Sequence, residues 1–109
     1  MRIGRALPLL LALSVATGCA AVQDDLARAG ARSAIDQVLA SRFPGVDATR
    51  ITPYTDCVIN EAVAGEITQL AADAVTGVDE ETAVLVLEIA ARPPAASCLV
   101  QVGIDQVVS

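Results

Sequence analysis

The side chains that most enzymes use for acid–base and covalent chemistry are missing from this sequence. It contains no histidine, and all seven of its basic residues are arginine, so lysine is absent as well. The chain therefore lacks the usual general base and metal ligand, the amine of a Schiff base and the lysine of a phosphate-binding loop. A carboxylate pair can hydrolyse glycosides, but Phe43 and Tyr54, the only aromatic residues, cannot line a sugar-binding cleft. We expect no enzymatic activity, no cofactor and no metal site.

The first 18 residues predict export. Arg2 and Arg5 are followed by a mostly apolar run from Ala6 to Ala16. The run has the length of a signal-peptide core and is shorter than the roughly 20 apolar residues that cross a bilayer. We interpret residues 1–18 as a signal peptide and leave them out of the fold.

Residues 16–19, Ala-Thr-Gly-Cys, resemble the lipobox of bacterial lipoproteins. The resemblance implies that Cys19 is the first mature residue and is diacylated on sulfur. Residues 19–24 would then be a lipidated tether, and residues 25–109 a single small helical domain. Ala16 and Gly18 also satisfy the small-x-small rule of an ordinary signal peptidase, which would release a soluble periplasmic protein.

The number of cysteines agrees with the lipoprotein interpretation. An unpaired thiol is unusual in an oxidising compartment, and lipid on Cys19 leaves Cys57 and Cys98 as one pair, 41 positions apart. A redox couple would typically have the Cys-x-x-Cys spacing, which is absent. We therefore predict a structural disulfide between Cys57 and Cys98.

The charge of the chain excludes two classes of partner. After residue 18 it has five arginines against thirteen carboxylates, a net charge of −8, with no basic cluster. Nucleic-acid binding and polybasic attachment to anionic lipid both need such a cluster. The acyl group on Cys19 would therefore be the membrane attachment.

Apolar spacing predicts two helices in the first half of the mature chain. Residues 31–42 have apolar side chains at helical intervals, and we expect a break or frayed start at Gly30. Residues 46–54 look extended because of Pro53 and neighbouring β-favouring side chains, with Thr55 or Asp56 capping the next helix. The apolar face of that helix, which bends or splits at Gly65, consists of Ile59, Val63, Ile67, Leu70 and Ala74.

The second half contains clear helix start and stop signals. Asp79, followed by Glu80 and Glu81, is typical of a helix N-terminus, and Pro93-Pro94 prevents continuation. Residues 83–91 would be the central, most buried helix, and residues 95–102 a short helix or strand. The prediction is an all-α bundle of three to five short helices cross-linked by one disulfide. The alternative is an α+β fold with a hairpin from residues 82–90 and 97–102.

Five segments resemble a group of small exported proteins from proteobacteria: residues 42–46, 55–59, 74–78, 86–90 and 97–98. Their most specific shared feature is the pair of cysteines about 40 positions apart. The resemblance implies an exported lipoprotein of unestablished activity. Some members carry the name succinate dehydrogenase, which these residues do not support. The chain has no flavin-nucleotide domain, no iron–sulfur cysteine sets and no helices with haem ligands.

The sequence thus predicts a non-enzymatic envelope lipoprotein that acts through contacts with another envelope protein. Ala20 and Ala21 resemble the outer-membrane sorting pattern of enteric lipoproteins, so we expect the periplasmic face of a bacterial membrane, with the outer membrane favoured. Arg42 and Arg50 flank the loop at residues 43–46, which is either a partner-binding loop or a solvated turn. The alternative function is a small periplasmic binder or acid-responsive chaperone for an apolar ligand or client.

Overall fold

A computed structural model describes residues 24–108 of the chain, with the side chains up to Val107. The predicted signal peptide, residues 1–18, and the predicted lipidation site Cys19 lie outside the described residues. No strand forms within 24–108, so the predicted all-α bundle is confirmed and the hairpin alternative is wrong. The five α-helices are α1 (24–42), α2 (Ala48–Ile59), α3 (Ala64–Thr76), α4 (Glu80–Ala90) and α5 (Pro93–Val108).

The core is almost entirely aliphatic, as the scarcity of aromatic residues predicts. Each large aliphatic side chain that becomes fully buried contributes roughly 1.5–3 kcal/mol. Both α4 and α5 pack against α2 and against each other, while α1 joins the same cluster of buried residues. The largest fully buried aliphatic side chains of this cluster are Ile35, Val38, Val58, Ile59, Leu70, Val86 and Ile89.

The helix break predicted at Gly30 is wrong, because α1 runs without interruption through it. A Cβ atom at Gly30 would lie 3.1 Å from Cβ of Ala71 and 3.2 Å from its Cα. The glycine therefore allows α1 to approach α3 closely. The contacts made by the rest of α1 outweigh the roughly 1 kcal/mol that glycine costs inside a helix.

The extended segment predicted at residues 46–54 is also wrong, and neither Thr55 nor Asp56 caps a helix. The helix α2 begins at Ala48, after Asp47 in extended conformation, and includes Pro53. Proline here removes one backbone hydrogen bond from the helix. The spacing of Ile51, Thr55 and Val58, which are all buried, explains why the helix still forms.

The predicted split of the following helix occurs, but at residues 60–63 rather than at Gly65. α2 ends at Ile59, Val63 is the N-cap of α3, and Gly65 lies in the first turn of α3. Oε1 of Glu66 accepts a hydrogen bond from the Val63 N–H at 2.9 Å. This contact satisfies an amide at the start of α3 that would otherwise have no helical partner.

The predicted start of α4 at Asp79 is confirmed. Oδ1 of Asp79 accepts a hydrogen bond from the Thr82 N–H at 3.0 Å. α4 is not the most buried helix, however, because Val84 and Leu87 on its outer face are exposed. One face of α4 packs in the core and the other meets solvent.

The start of α5 at Pro93 and Pro94 follows from the fixed φ of proline, which suits the first turn of a helix. α5 continues to Val108, beyond the predicted end at residue 102. Within residues 24–108 no single helix has the length and apolar composition needed to cross a membrane. The pair α4 and α5, bent by 88° at their junction, meets that test only when the two are taken together.

Candidate functional site

The predicted bond between Cys57 and Cys98 is present and joins α2 to α5. The two Cα atoms are 5.6 Å apart, within the usual range for a disulfide. Cys57 is buried among the core side chains, and Cys98 is partly buried on the facing side of α5. The position is that of a structural cross-link between two packed helices.

A second link between α2 and α5 consists of neutral hydrogen bonds. The Tyr54 hydroxyl donates to Oε1 of Gln106 at 3.4 Å, and Nε2 of Gln106 donates to the Arg50 carbonyl at 3.0 Å. Neither bond involves a carboxylate. The α2–α5 pair is therefore held by a covalent bond and by two hydrogen bonds between uncharged groups.

Contacts between α1 and α2 depend on carboxylates. The Arg32 guanidinium donates to Asp56, and the buried Thr55 hydroxyl donates to Asp36. Without Asp36 the Thr55 hydroxyl would lose this partner in a dry environment, which is costly. The carboxylates of Asp36 and Asp56 thus help to hold α1 on α2.

The most complete ion pair joins Glu66 of α3 to Arg92, in the turn between α4 and α5. The guanidinium donates to both carboxylate oxygens, Nη1 to Oε1 at 2.8 Å and Nη2 to Oε2 at 2.6 Å. Nη1 also donates to the Glu61 carbonyl at 2.8 Å. Hydrogen bonding to Arg92, together with the Val63 N–H, holds the pKa of Glu66 below its ordinary value, and Glu66 in turn raises the pKa of Arg92. The pair connects three separate chain segments.

Two further contacts to carboxylates reach α4. Nη2 of Arg42, at the end of α1, donates to Oε1 of Glu80 at 2.7 Å. The Thr82 hydroxyl donates to Oδ2 of Asp73 in α3 at 3.0 Å. Together with the preceding contacts, they make five contacts to carboxylate acceptors among α1, α2, α3, α4 and the α4–α5 turn.

Phe43 and Tyr54 come together in one apolar cleft, which we call the aromatic cleft. It has a volume of about 170 Å³ and is lined by Leu39, Phe43, Val46, Ile51 and Tyr54. About half of the Phe43 side chain remains exposed. The cleft is a concave apolar surface that contains both aromatic residues of the chain.

The turn at residues 43–46 positions Phe43 and Val46 at the aromatic cleft. The Val46 N–H donates to the Phe43 carbonyl at 3.1 Å, which closes a β-turn with Pro44 at its second position, where proline is favoured. Ile51 and Tyr54 come from α2, and Leu39 from α1. The sequence singled out this loop but missed Ile51 and Tyr54. Helical spacing from Ile51 to Val58 was the signal that could have placed them on α2.

Two arginines are next in sequence to residues that line the aromatic cleft. Arg42 precedes Phe43 and is paired with Glu80, whereas Arg50 precedes Ile51, is exposed and forms no ion pair with any residue in 24–108. Three of the five arginines in that part of the chain are paired, and Arg28 is the other exception. Arg50 is thus an exposed positive charge, without an ion pair in 24–108, next in sequence to a residue that lines the cleft.

The aromatic cleft lies at the far end of α1 from its first residue. α1 covers residues 24–42, which corresponds to roughly 28 Å at 1.5 Å per residue. Phe43 follows its last turn. The start of α1 is therefore separated from the cleft by the length of this helix.

The described residues show no arrangement with obvious catalytic or metal chemistry. Within 24–108, no group of three or more His, Cys, Asp or Glu residues is placed to hold a metal ion. The candidate site is therefore the aromatic cleft, an apolar surface suited to binding. No family model, no curated protein and no solved structure matches the chain.

Proposed function

We propose that the chain is a non-enzymatic bacterial envelope lipoprotein that binds another envelope protein through the aromatic cleft. The lipobox-like residues 16–19 support an acyl anchor at Cys19, and Ala20 and Ala21 favour the periplasmic face of the outer membrane. The resemblance to small exported proteobacterial proteins agrees with this location. A soluble periplasmic protein is the alternative form.

The observation that carries the proposal is the size of the aromatic cleft. At about 170 Å³, it is smaller than the roughly 300–1,000 Å³ of pockets that enclose a small-molecule ligand. One large apolar side chain suits this volume, and such anchors supply much of the binding energy at protein interfaces. The cleft therefore fits a projecting side chain of a partner protein.

The placement of charge further defines the partner. Arg50 has no carboxylate partner of its own within 24–108, so a carboxylate beside the anchoring side chain of the partner would complete an ion pair. Because the start of α1 and the aromatic cleft lie at opposite ends of that helix, the cleft would be held away from the membrane in which Cys19 is anchored. The partner would thus be an envelope protein with an apolar side chain next to an acidic residue.

In-cell crosslinking tests this proposal. A photoreactive phenylalanine analogue at position 43 is expected to give a discrete crosslinked product, because that side chain borders the bound partner. The same analogue at position 75 is the control, since Val75 is 87% exposed on α3, away from the aromatic cleft. Equal products from both positions, or none from position 43, would contradict the proposal.

A charge reversal makes the same experiment more specific. Arg50→Glu is expected to reduce the product from position 43 about tenfold, because a border charge contributes on the order of 1 kcal/mol. Arg28→Glu reverses an exposed arginine of α1 that likewise lacks an ion pair in 24–108, and should leave the product unchanged. Equal effects of the two variants would mean that the net charge of the protein, and not the position of Arg50, determines the yield of the crosslinked product.

A second candidate function, an acid-responsive binder of apolar clients, is favoured by the five carboxylate contacts. Loss of negative charge from carboxylates in acid would weaken the connections among α1, α2, α3, α4 and the α4–α5 turn. The α2–α5 pair would persist, because the disulfide and the hydrogen bonds of Gln106 do not depend on carboxylates. Partial opening of this kind would expose the aliphatic core to a client.

Acidification is therefore expected to increase the binding of an apolar dye between about pH 5 and about pH 3, where carboxylates are protonated. Because the pKa of Glu66 is lowered in the folded state, its contribution to stability is complete above its ordinary value of 4.5 and is lost as the pH falls through its folded value. Glu66→Gln should thus be less stable than the natural protein at neutral pH, with the difference disappearing in acid. Dye fluorescence and urea unfolding at each pH measure both effects.

Asp25→Asn is the control for this experiment, because it removes one negative charge from an exposed position of α1. It should leave the profile of dye binding against pH almost unchanged. A flat profile for the natural protein, or equal shifts from the two variants, would rule out the acid-responsive function without bearing on the aromatic cleft.

A further inference from the structure

One side of the second half of α5 carries exposed apolar side chains. Val100, Ile104 and Val107 occur at helical spacing and are 63%, 51% and 86% exposed. They form a stripe along one side of the helix, which we call the α5 stripe. Apolar stripes of this spacing are typical of surfaces that pack against another helix.

The conformation and packing of the single chain do not require glycine at position 103, beside the α5 stripe. Glycine inside a helix is less favourable than alanine. A Cβ atom at Gly103 would meet only the Tyr54 hydroxyl, at 3.8 Å, which is an ordinary contact, and φ at Gly103 is not positive. Packing within residues 24–108 would therefore accept alanine at this position.

Because Gly103 has no side chain, a shallow depression lies next to the projecting side chain of Ile104. The depression is lined by Tyr54, Val100, Gly103, Ile104 and Val107. Ile104 thus stands beside a recess that a side chain of similar size from another helix would fill.

The order of residues along this part of α5 is self-complementary. Residues 100–107 read Val-Gln-Val-Gly-Ile-Asp-Gln-Val, with Val at both ends and Gln next to each end. A two-fold axis between Gly103 and Ile104 places Val100 opposite Val107 of a second copy, and Ile104 over Gly103 of that copy. A symmetric dimer requires a single surface patch with this kind of self-complementarity.

The distribution of charge also favours α5 over other surfaces as the place where a second copy binds. Asp105 is the only charged residue in Pro93–Val108, whereas the chain after residue 18 has a net charge of −8. Two identical acidic proteins repel each other wherever carboxylates meet. Contact through α5 brings the fewest of them together.

We propose that two copies of this chain associate through antiparallel packing of their α5 stripes, with Ile104 of each copy over Gly103 of the other. The interface is small, so the dimer is a weak one. This inference goes beyond the proposed function and does not depend on it.

The variant Gly103→Ala separates the dimer from the stability of the single chain. The methyl group fills the recess for Ile104, so the dissociation constant should rise at least about tenfold. The unfolding temperature of the monomer should stay the same or rise, because alanine favours the helix. Sedimentation equilibrium of the full chain from its membrane fraction, in a density-matched detergent, measures association from about 1 µM to about 1 mM.

Gly65→Ala is the matched control, since Gly65 also lies in a helix and its Cβ would meet nothing within 4 Å. It should leave the dissociation constant unchanged. A second variant, Ile104→Glu, should abolish association, whereas Val75→Glu on α3 should preserve it. A natural protein that stays monomeric at the highest concentration, or equal weakening by both glycine variants, would overturn the proposal.

Discussion

Loss of the Cys57–Cys98 bond in the double variant Cys57→Ala/Cys98→Ala is expected to lower the free energy of unfolding by about 3–4 kcal/mol. The bond closes a loop of 41 positions, and in the loop-closure model it removes that much entropy from the unfolded chain. Small domains have only about 5–15 kcal/mol in total, so the loss is a large fraction. Urea unfolding at neutral pH measures the change.

Alanine is the appropriate replacement, because a serine hydroxyl at the buried Cys57 would add an unsatisfied polar group. The natural protein in the presence of a reductant is the control, and it should lose a similar amount of stability. A change below about 1 kcal/mol in both cases would mean that the bond does not stabilise the bundle by the loop-closure mechanism.

Leu70→Ala should be nearly as damaging, with an expected loss of about 2–5 kcal/mol. The Leu70 side chain is completely buried, and Ile67 is the only other large buried side chain of α3. Truncation would leave a cavity where α3 packs against the core. Thermal or urea unfolding followed by circular dichroism measures the loss.

Val75→Ala is the matched control on the same helix, because Val75 is almost fully exposed. Its effect should stay within about 0.5 kcal/mol. Similar effects of the two variants would show that α3 does not pack against the core as described.

The sequence predicted the helical class and several helix ends because the relevant signals are local. Asp79 caps α4 through a neighbouring backbone amide, and Pro93-Pro94 follows the end of α4 at Ala90, as predicted for residues that prevent its continuation. The disulfide followed from the resemblance of residues 16–19 to a lipobox and from the number of cysteines. Such inferences need no knowledge of distant contacts.

The errors occurred where tertiary contacts outweigh local preference. Gly30 is helical because α1 approaches Ala71 of α3 at that point, and Pro53 is helical because α2 buries Ile51, Thr55 and Val58. Local propensity assigns a penalty to both residues but gives no information about the packing that compensates for it.

The candidate site was predicted in part for the same reason. The loop at residues 43–46 was singled out from its flanking arginines, but Tyr54 was assigned to an extended segment and so was not placed beside Phe43. The α5 stripe is missed because the sequence predicts that the last helix or strand ends at residue 102, whereas α5 continues to Val108. Both features depend on helices longer than local signals indicate.

The central claim is that the chain is a membrane-anchored protein with one disulfide. Its most direct test is the intact mass of the protein isolated from the membrane fraction of its native host. The measurement is made with and without reduction and alkylation. We expect the mass of an acylated chain that begins at Cys19, with two alkylated cysteines that appear only after reduction. An unacylated chain, or alkylation of Cys57 and Cys98 without reduction, would contradict the account.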